Sequence, residues 1–281
     1  MHIFKVPSEL NNYIKQLKKE GLSLGLVPTM GALHEGHLSI IRKSISENDF
    51  TIASIFVNPI QFNNPSDLQA YPRPIENDVS LLKDLGCSAV FIPDVSDIYA
   101  NPPIVTIDFG PMGSVMEGKF RPGHFSGVSI IVSKLLHMIF PDKVYFGLKD
   151  LQQVTIIKRL VADLSFPVKI VECETLREAD GLALSSRNVR IAHEKRDIAP
   201  YLFKALKLAE GVLKSLSVSE VISNTVEYLN SIPDIKLEYF EIVDSETLME
   251  VHDVRSHSKI ALCIAAYLGE VRLIDNIIVT L

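Results

Sequence analysis

The chain has 281 residues, enough for one large domain or two smaller ones, and 47% of them are apolar, ample for a sizeable core. Its formal net charge of −6 argues against a non-specific nucleic-acid surface, which needs a basic face, but leaves room for a local cluster of donors that binds a nucleotide. The three cysteines, Cys87, Cys173 and Cys263, are far apart, fit neither a disulfide framework nor a zinc ribbon, and point to a reducing compartment. Met1 to Lys5 lacks the apolar core of a signal peptide. The most apolar helical stretch, Val128 to Phe140, is interrupted by Lys134 and His137 and is too short for a bilayer. A cytoplasmic protein with no membrane partner is expected.

In chain order, residues 8 to 20 read as a polar amphipathic helix opening on Ser8, and 22 to 28 as a buried strand. Leu38, Ile41 and Ile45 then recur at helical spacing as far as Asn48. The stretch between, Pro28-Thr29-Met30-Gly31-Ala32-Leu33-His34-Glu35-Gly36-His37, is therefore a strand-to-helix connection. A helix N-terminus offers unpaired N–H groups and a positive dipole end, which suits phosphate, and Gly31 and Gly36 let a bulky anion approach. Two imidazoles there can donate to phosphoryl oxygens as charge grows on them. A lone histidine near a helix start is more often a capping or surface residue than a catalyst, and histidines at i and i+3 would leave a tetrahedral metal site half built; phosphate binding leads.

Thr51 to Val57 reads as a second buried strand, followed by the amide-bearing loop Asn58 to Pro65 at its carboxyl end, where ligands collect in open α/β sheets. Gln61 there is on its own residues no more than a turn residue. After the loop Tyr71-Pro72-Arg73-Pro74, a helix runs from Ile75 to Leu85 and a strand from Ala89 to Ile92; an excursion from Pro93 to Arg121 holds a short strand at Ile104 to Phe109. Arg121-Pro122-Gly123-His124 then leads into the apolar helix, either as incidental charge or as a flexible element that brings Arg121 and His124 over an anionic substrate.

A strand at Lys143 to Phe146 delivers Gly147-Leu148-Lys149-Asp150 into a helix over 151 to 163. Asp150 reads as an N-cap. Lys149 opposes the helix dipole unless an anion is bound. Gln153 completes a capping box or faces the cleft. Val168 to Glu172 is the last parallel strand, and Ser185, Ser186 and Arg187 form either a phosphate clamp or an ordinary loop. Long helices are expected at Glu194 to Leu216 and Val218 to Leu229, then strands at Leu237 to Val243, Ile260 to Tyr267 and Val271 to Ile274. The alternation of strands and helices, followed by this change of pattern, gives an α/β fold: a Rossmann-like parallel-sheet domain over 1–175 and a smaller C-terminal α+β domain over 176–281.

His34-Glu35-Gly36-His37 resembles the HxGH signature of the nucleotidyltransferase superfamily, and the spaced motifs together resemble the pantothenate synthetase (pantoate–β-alanine ligase) family nearly end to end. They are Met30 to His37, Phe56 to Phe62, Tyr71-Pro72-Arg73, Arg121 to Phe125, Gly147 to Gln153, Leu184 to Asn188 and Arg272 to Asn276. The resemblance implies that pantoate and ATP form pantoyl adenylate and pyrophosphate, and that β-alanine then displaces AMP to give pantothenate. It implies His34, His37, Lys149 and Arg187 as catalytic residues. Nucleotide contacts would come from Met30, Gly31, Ala32, Leu33, His34, Glu35, Gly36, His37, Gly147, Leu148, Lys149, Asp150, Leu176, Leu184, Ser185, Ser186 and Arg187. Pantoate and β-alanine would meet Asn58, Gln61, Tyr71, Arg121, His124 and Gln153. Mg²⁺ is implied with ATP, Asp78 being its one candidate protein contact, as are a homodimer and a C-terminal domain acting as a lid. Two positions depart from the family pattern: Leu148 replaces the usual glutamate, and Asn77 stands in a region that often carries two acids. The alternatives are a related HxGH nucleotidyltransferase with another acceptor and an ATP-binding protein without turnover.

Overall fold

The computed structural model describes every residue from Met1 to Leu281. Its residues cluster into two units, Met1–Leu148 with Ile156–Glu174, and Lys149–Thr155 with Thr175–Leu281. The segment Lys149–Thr155, expected with the N-terminal domain, groups with the C-terminal one.

The first unit is a six-stranded sheet in which every pairing is parallel, formed by β1 (His2–Phe4), β2 (Leu24–Thr29), β3 (Phe50–Ile55), β4 (Ala89–Phe91), β5 (Lys143–Gly147) and β6 (Lys169–Cys173). The strand order is β1-β4-β3-β2-β5-β6. β3 is buried at every position and β2 at all but Pro28, as expected of strands covered on both faces. The chain winds outward in one direction from β2 through β3 and β4, and in the other through β5 and β6. The switch point therefore lies between β2 and β5, and in such sheets the ligand crevice opens beyond the carboxyl ends of those strands.

Helix α1 (Pro7–Lys19) buries Leu10, Ile14 and Leu17, while α2 (Glu35–Glu47) turns Leu38, Ile41 and Ser44 inward. A core cluster joins Leu38 and Ile41 to Val27, Ile55, Leu82, Val90 and Tyr145. Each Leu or Ile so buried contributes ~1.5–3 kcal/mol. After β3 come α3 (Pro65–Ala70) and α4 (Ile75–Asp84), and beyond β4 the short α5 (Val95–Ile98) and α6 (Met116–Phe120). The apolar helix, α7 (His124–Ile139), begins four residues before the expected Val128 and ends where Phe140 turns left-handed at φ 48°, ahead of Pro141.

The second unit joins α9 (Tyr201–Val212) and α10 (Val218–Asn230) to an antiparallel sheet of β7 (Ile235–Asp244), β8 (Lys259–Leu268) and β9 (Val271–Thr280). Leu202, Leu206, Val221, Leu229, Ile242, Leu262 and Ile264 share its core. Between β6 and α9, a bridge pairs Arg177 with Ala183. Helix α8 (Leu151–Asp163) starts within the residues of this unit and ends within those of the first.

Three expectations are corrected and one strand is added. Residues 104 to 109 form no strand: Ile104 is 96% exposed and no neighbouring strand pairs with it, so β-branched character alone does not extend the sheet. The helix expected from Glu194 to Leu216 is a 3₁₀ segment, His193–Ile198, followed by α9, because Pro200 has no N–H to continue a ladder. The last strand does not stop at Ile274, since β8 offers partners as far as Thr280. The edge strand β1, only three residues long and largely exposed, went unrecognised in the sequence.

Candidate active site

In the first unit, the connection between β2 and α2 is fixed residue by residue. Thr29 Oγ1 donates to the Ser54 carbonyl at 2.8 Å and accepts the Gly31 N–H at 3.2 Å. Gly31 then takes φ 84°, a left-handed conformation for which glycine is suited, and Ala32 follows at φ 50°. Asp78, fully buried on α4, accepts the N–H groups of Ala32 and Leu33, both at 2.8 Å. Burial holds the Asp78 carboxyl above its ordinary pKa, and these two donors oppose that shift.

His34 is the N-cap of α2, with extended backbone, and His37 is its third helical residue. His34 Nδ1 accepts the Gly36 N–H at 3.1 Å, and His37 Nδ1 accepts the His34 N–H at 3.4 Å, a reciprocal capping box built from two imidazoles. Because both Nδ1 atoms face N–H donors, each neutral ring carries its proton on Nε2. The rings lie 4.1 Å apart between centroids, tilted by 38°. The result is a pair of Nε2–H donors beside a helix N-terminus. Glu35, between them, instead pairs with Arg42 at 2.9 Å on the exposed side of the helix.

The amides after β3 form a second cluster. Asn58 is 1% exposed and Gln61 7%, and Asn58 Nδ2 donates to Gln61 Oε1 at 3.0 Å and to the Gly127 carbonyl at 3.1 Å. Gln61 Nε2 lies 3.1 Å from Met30 Sδ, so this cluster touches the signature loop. His124, 6% exposed, has Nδ1 at 2.8 Å from the Gln61 carbonyl, which can only accept; His124 is therefore the Nδ1–H tautomer when neutral. Tyr71 is buried, its ring 5.9 Å from that of Phe62. Arg121 Nη1 is 3.9 Å from the Glu117 carboxylate. Asn58, Gln61 and His124 are thus interlocked.

Leu148–Asp150, where the residues of the second unit begin at Lys149, is a 3₁₀ turn running straight into α8. The Lys149 side chain is 18% exposed, with Nζ 3.6 Å from Asp150 Oδ1, and its carbonyl accepts Asn276 Nδ2 at 2.8 Å. Gln153 is half-buried in the first turn of α8. Asn276 follows Asp275, which receives a bidentate Arg177 fork at 2.6 and 2.8 Å. Arg177 also donates to the carbonyls of Gly181 and Asn276 and stacks over Phe203 at 3.8 Å. Leu184 N–H donates to the Leu176 carbonyl, and Ser185 Oγ accepts the Arg187 N–H at 3.3 Å, which shapes the Ser185-Ser186-Arg187 turn. Asp275 and Asn276 lie within the Arg272 to Asn276 motif of the sequence, but their link to Arg177 and the Tyr99 hydroxyl are not legible there.

No group of three or more His, Cys, Asp or Glu side chains comes together to hold a metal ion. Asp78, the candidate Mg²⁺ contact, has both oxygens engaged by backbone N–H groups. A protein-held Mg²⁺ does not fit these residues.

The chain matches the family model described as pantoate-beta-alanine ligase over residues 2–278. It is 46% identical to the pantothenate synthetase of Cytophaga hutchinsonii, covering 97% of each chain, and 47% identical to that of Porphyromonas gingivalis, covering 99% of each. Among solved structures, pantothenate synthetase from Thermus thermophilus superposes with a TM-score of 0.92 at 39% identity, over 99% of both chains. The pantoate-beta-alanine ligase of Francisella tularensis, solved in complex with beta-gamma ATP and beta-alanine, gives 0.79 at 37% identity, over 99% of this chain and 97% of that one.

Proposed function

This chain belongs to the pantoate–β-alanine ligase family, and we propose the following division of labour for the reaction of that family. A pantoate carboxylate oxygen attacks the α-phosphorus of ATP, the bond to the β-phosphate breaks, and pyrophosphate leaves. The β-alanine amine then attacks the activated carbonyl of pantoyl adenylate, the C–O bond to AMP breaks, and pantothenate forms.

The observation that carries the first step is the histidine pair. With both Nδ1 atoms taken up by backbone N–H groups, His34 and His37 present Nε2–H donors whose tautomer is fixed before substrate arrives. Donors fixed in advance stabilise charge that develops in phosphoryl transfer, where the protein's work is mainly positioning and neutralisation. The backbone from Met30 to Leu33, held by Asp78 and Thr29, supplies the surface along which the nucleotide lies. Lys149, Ser185, Ser186 and Arg187 are assigned to the β- and γ-phosphates. The remaining contacts to ATP are assigned to Gly147, Leu148, Asp150, Leu176 and Leu184.

Gln61 and Gln153 orient pantoate, because amides matched to a hydroxyl-bearing acid in a closed site discriminate strongly against analogues that leave them unpaired. Asn58, Tyr71, Arg121 and His124 complete that pocket, Asn58 acting through the Gln61 amide and His124 through the Gln61 carbonyl. Magnesium retains its waters and binds through substrate phosphates, so Mg²⁺ is assigned to the nucleotide rather than to a protein cage, and no residue role above depends on it. The C-terminal unit is assigned the role of a lid that shields the adenylate from water. The molecule has no helix long and apolar enough to cross a membrane. We extend the reading to a cytoplasmic homodimer whose partners are small molecules.

The test is AMP release from Mg-ATP and pantoate, with and without β-alanine. Multiple-turnover AMP only when both acids are present is the expected result. Pyrophosphate release with a different acceptor would move the chain's chemistry to a sister nucleotidyltransferase, and ATP binding without turnover would remove the catalytic roles altogether.

A further inference from the structure

Gln61 can serve an acid substrate in either of two ways: by offering its oxygen as an acceptor, or its nitrogen as a donor. A free glutamine side chain interconverts the two by rotating its terminal amide, and only its neighbours decide. Here they decide. The Gly127 carbonyl can only accept, so the Asn58 atom that faces it at 3.1 Å must be the amide nitrogen. The same nitrogen has a second hydrogen, which is directed at Gln61 from 3.0 Å, so the Gln61 atom that faces Asn58 must be its oxygen. Gln61 Nε2 is thereby turned to the opposite side, toward Met30.

The remaining corner of Asn58 is its own oxygen, 1% exposed as a residue and so cut off from water. Tyr99, which caps the end of α5 and lies 41 positions along the chain, donates its hydroxyl to that oxygen at 2.9 Å. Burial holds the Tyr99 hydroxyl protonated far above neutral pH, so it remains a donor. Its ring is held independently, with the Phe56 ring 6.2 Å away and Lys134 Nζ 5.4 Å above it. The Gly127 end is equally rigid: a Cβ at that position would lie 2.5 Å from the Ile60 carbonyl oxygen, so the helix approaches the Pro59–Gln61 turn as closely as glycine permits.

We propose that Tyr99 is a positioning residue which, through Asn58, locks the Gln61 amide with its nitrogen toward Met30 of the signature loop, so that the pocket presents a donor to an oxygen of the acid substrate. The proposal rests on the assignment of pantoate to Gln61 and adds the direction of that hydrogen bond and the residue that sets it. A carboxylate or hydroxyl oxygen is welcomed by such a site. An analogue with an N–H in the corresponding place meets a second donor and is rejected.

The experiment is Tyr99→Phe in the full chain, which deletes the hydroxyl and keeps the ring, measured with Gln61→Ala and the double variant. With Asn58 Oδ1 unpartnered, Tyr99→Phe is expected to raise the KM for pantoate about 5- to 10-fold, on the scale of one buried hydrogen bond, and to leave the KM for ATP unchanged. On the Gln61→Ala background the same substitution should have no further effect on pantoate KM, because the relay then has nothing to orient. An unchanged pantoate KM in Tyr99→Phe, full additivity in the double variant, or an equal rise in the KM for ATP would each overturn the relay. Wild-type protein that makes no pantoate-dependent AMP would overturn the reading beneath it, and that failure is seen before any variant is measured.

Discussion

Asp78 Oδ2 accepts the backbone N–H of Ala32 at 2.8 Å across 46 positions of sequence, and its other oxygen accepts that of Leu33. A residue at left-handed φ 50° needs its surroundings to hold it there, and a fully buried carboxylate with two charge-assisted bonds does so. Asp78→Asn keeps the shape but sets an amide N–H₂ against a buried N–H. The expected cost is about 1–3 kcal/mol of folding stability, the scale of a buried donor left unsatisfied. Urea unfolding of both proteins with and without EDTA checks this. The loss should be the same in each buffer, whereas a metal ligand at position 78 would make it depend on the chelator.

The mutual capping of His34 and His37 ties helix initiation to the donors assigned to phosphate. His37→Ala removes an Nε2–H donor and the acceptor for the His34 N–H. The adenylation half-reaction, read as pantoate-dependent pyrophosphate exchange, should fall by ~10²-fold or more, the effect of deleting one transition-state donor. Circular dichroism should be unchanged, since a helix cap is worth only ~1 kcal/mol. Wild-type exchange rates in this variant would remove His37 from the chemistry.

What could be read from the sequence followed how locally each feature is encoded. β2 and β3, covered on both faces, had to be near-continuous apolar runs, and the signature loop compressed two histidines and two glycines into a few residues. β1 could not be read that way, because three exposed edge residues carry no periodicity. Ile104 and Val105 misled in the opposite sense: β-branched side chains favour strands, but only a neighbour with unpaired backbone groups makes one. At the site, residue types were legible and orientations were not. Nothing near Gln61 in sequence shows that its amide is fixed by Gly127 and Tyr99, or that Asp78 turns toward Ala32 rather than toward a metal. Those bonds exist only once distant segments meet.

In the C-terminal unit Asp244 supplies a pH-dependent contribution to stability. Burial alone would raise its pKa, but the Thr247 N–H, the His257 ring at 3.0 Å and the Glu246 N–H outweigh that and lower it from 3.8 to about 2. A carboxylate whose folded pKa lies below its unfolded value stabilises the fold above the unfolded pKa and loses that contribution as pH falls through the folded one. The gap corresponds to about 2 kcal/mol. Asp244→Asn should therefore be less stable than wild type by about that amount at pH 6, with the difference closing between pH ~4 and ~2. Urea midpoints measured for both proteins across that range test it, and a difference independent of pH would contradict the assignment.

Arg177 and Asp275 join the segment after β6 to the last strand through two parallel bonds, and Asp275 is 4% exposed at its side chain. Removing one member of such a pair strands the other charge in a dry site, which costs about 3–5 kcal/mol. Arg177→Ala is expected to lose stability on that scale. Arg177→Lys keeps the charge but loses the fork and the donors to the Gly181 and Asn276 carbonyls, and should fall between Ala and wild type. The consequence reaches a residue assigned to the nucleotide, because Asn276, next to Asp275, holds the Lys149 carbonyl at 2.8 Å. Arg177→Lys should therefore raise the KM for ATP more than that for β-alanine, at a temperature where the variant remains folded. Equal changes in both constants would mean that the pair stabilises the unit without aiming Lys149.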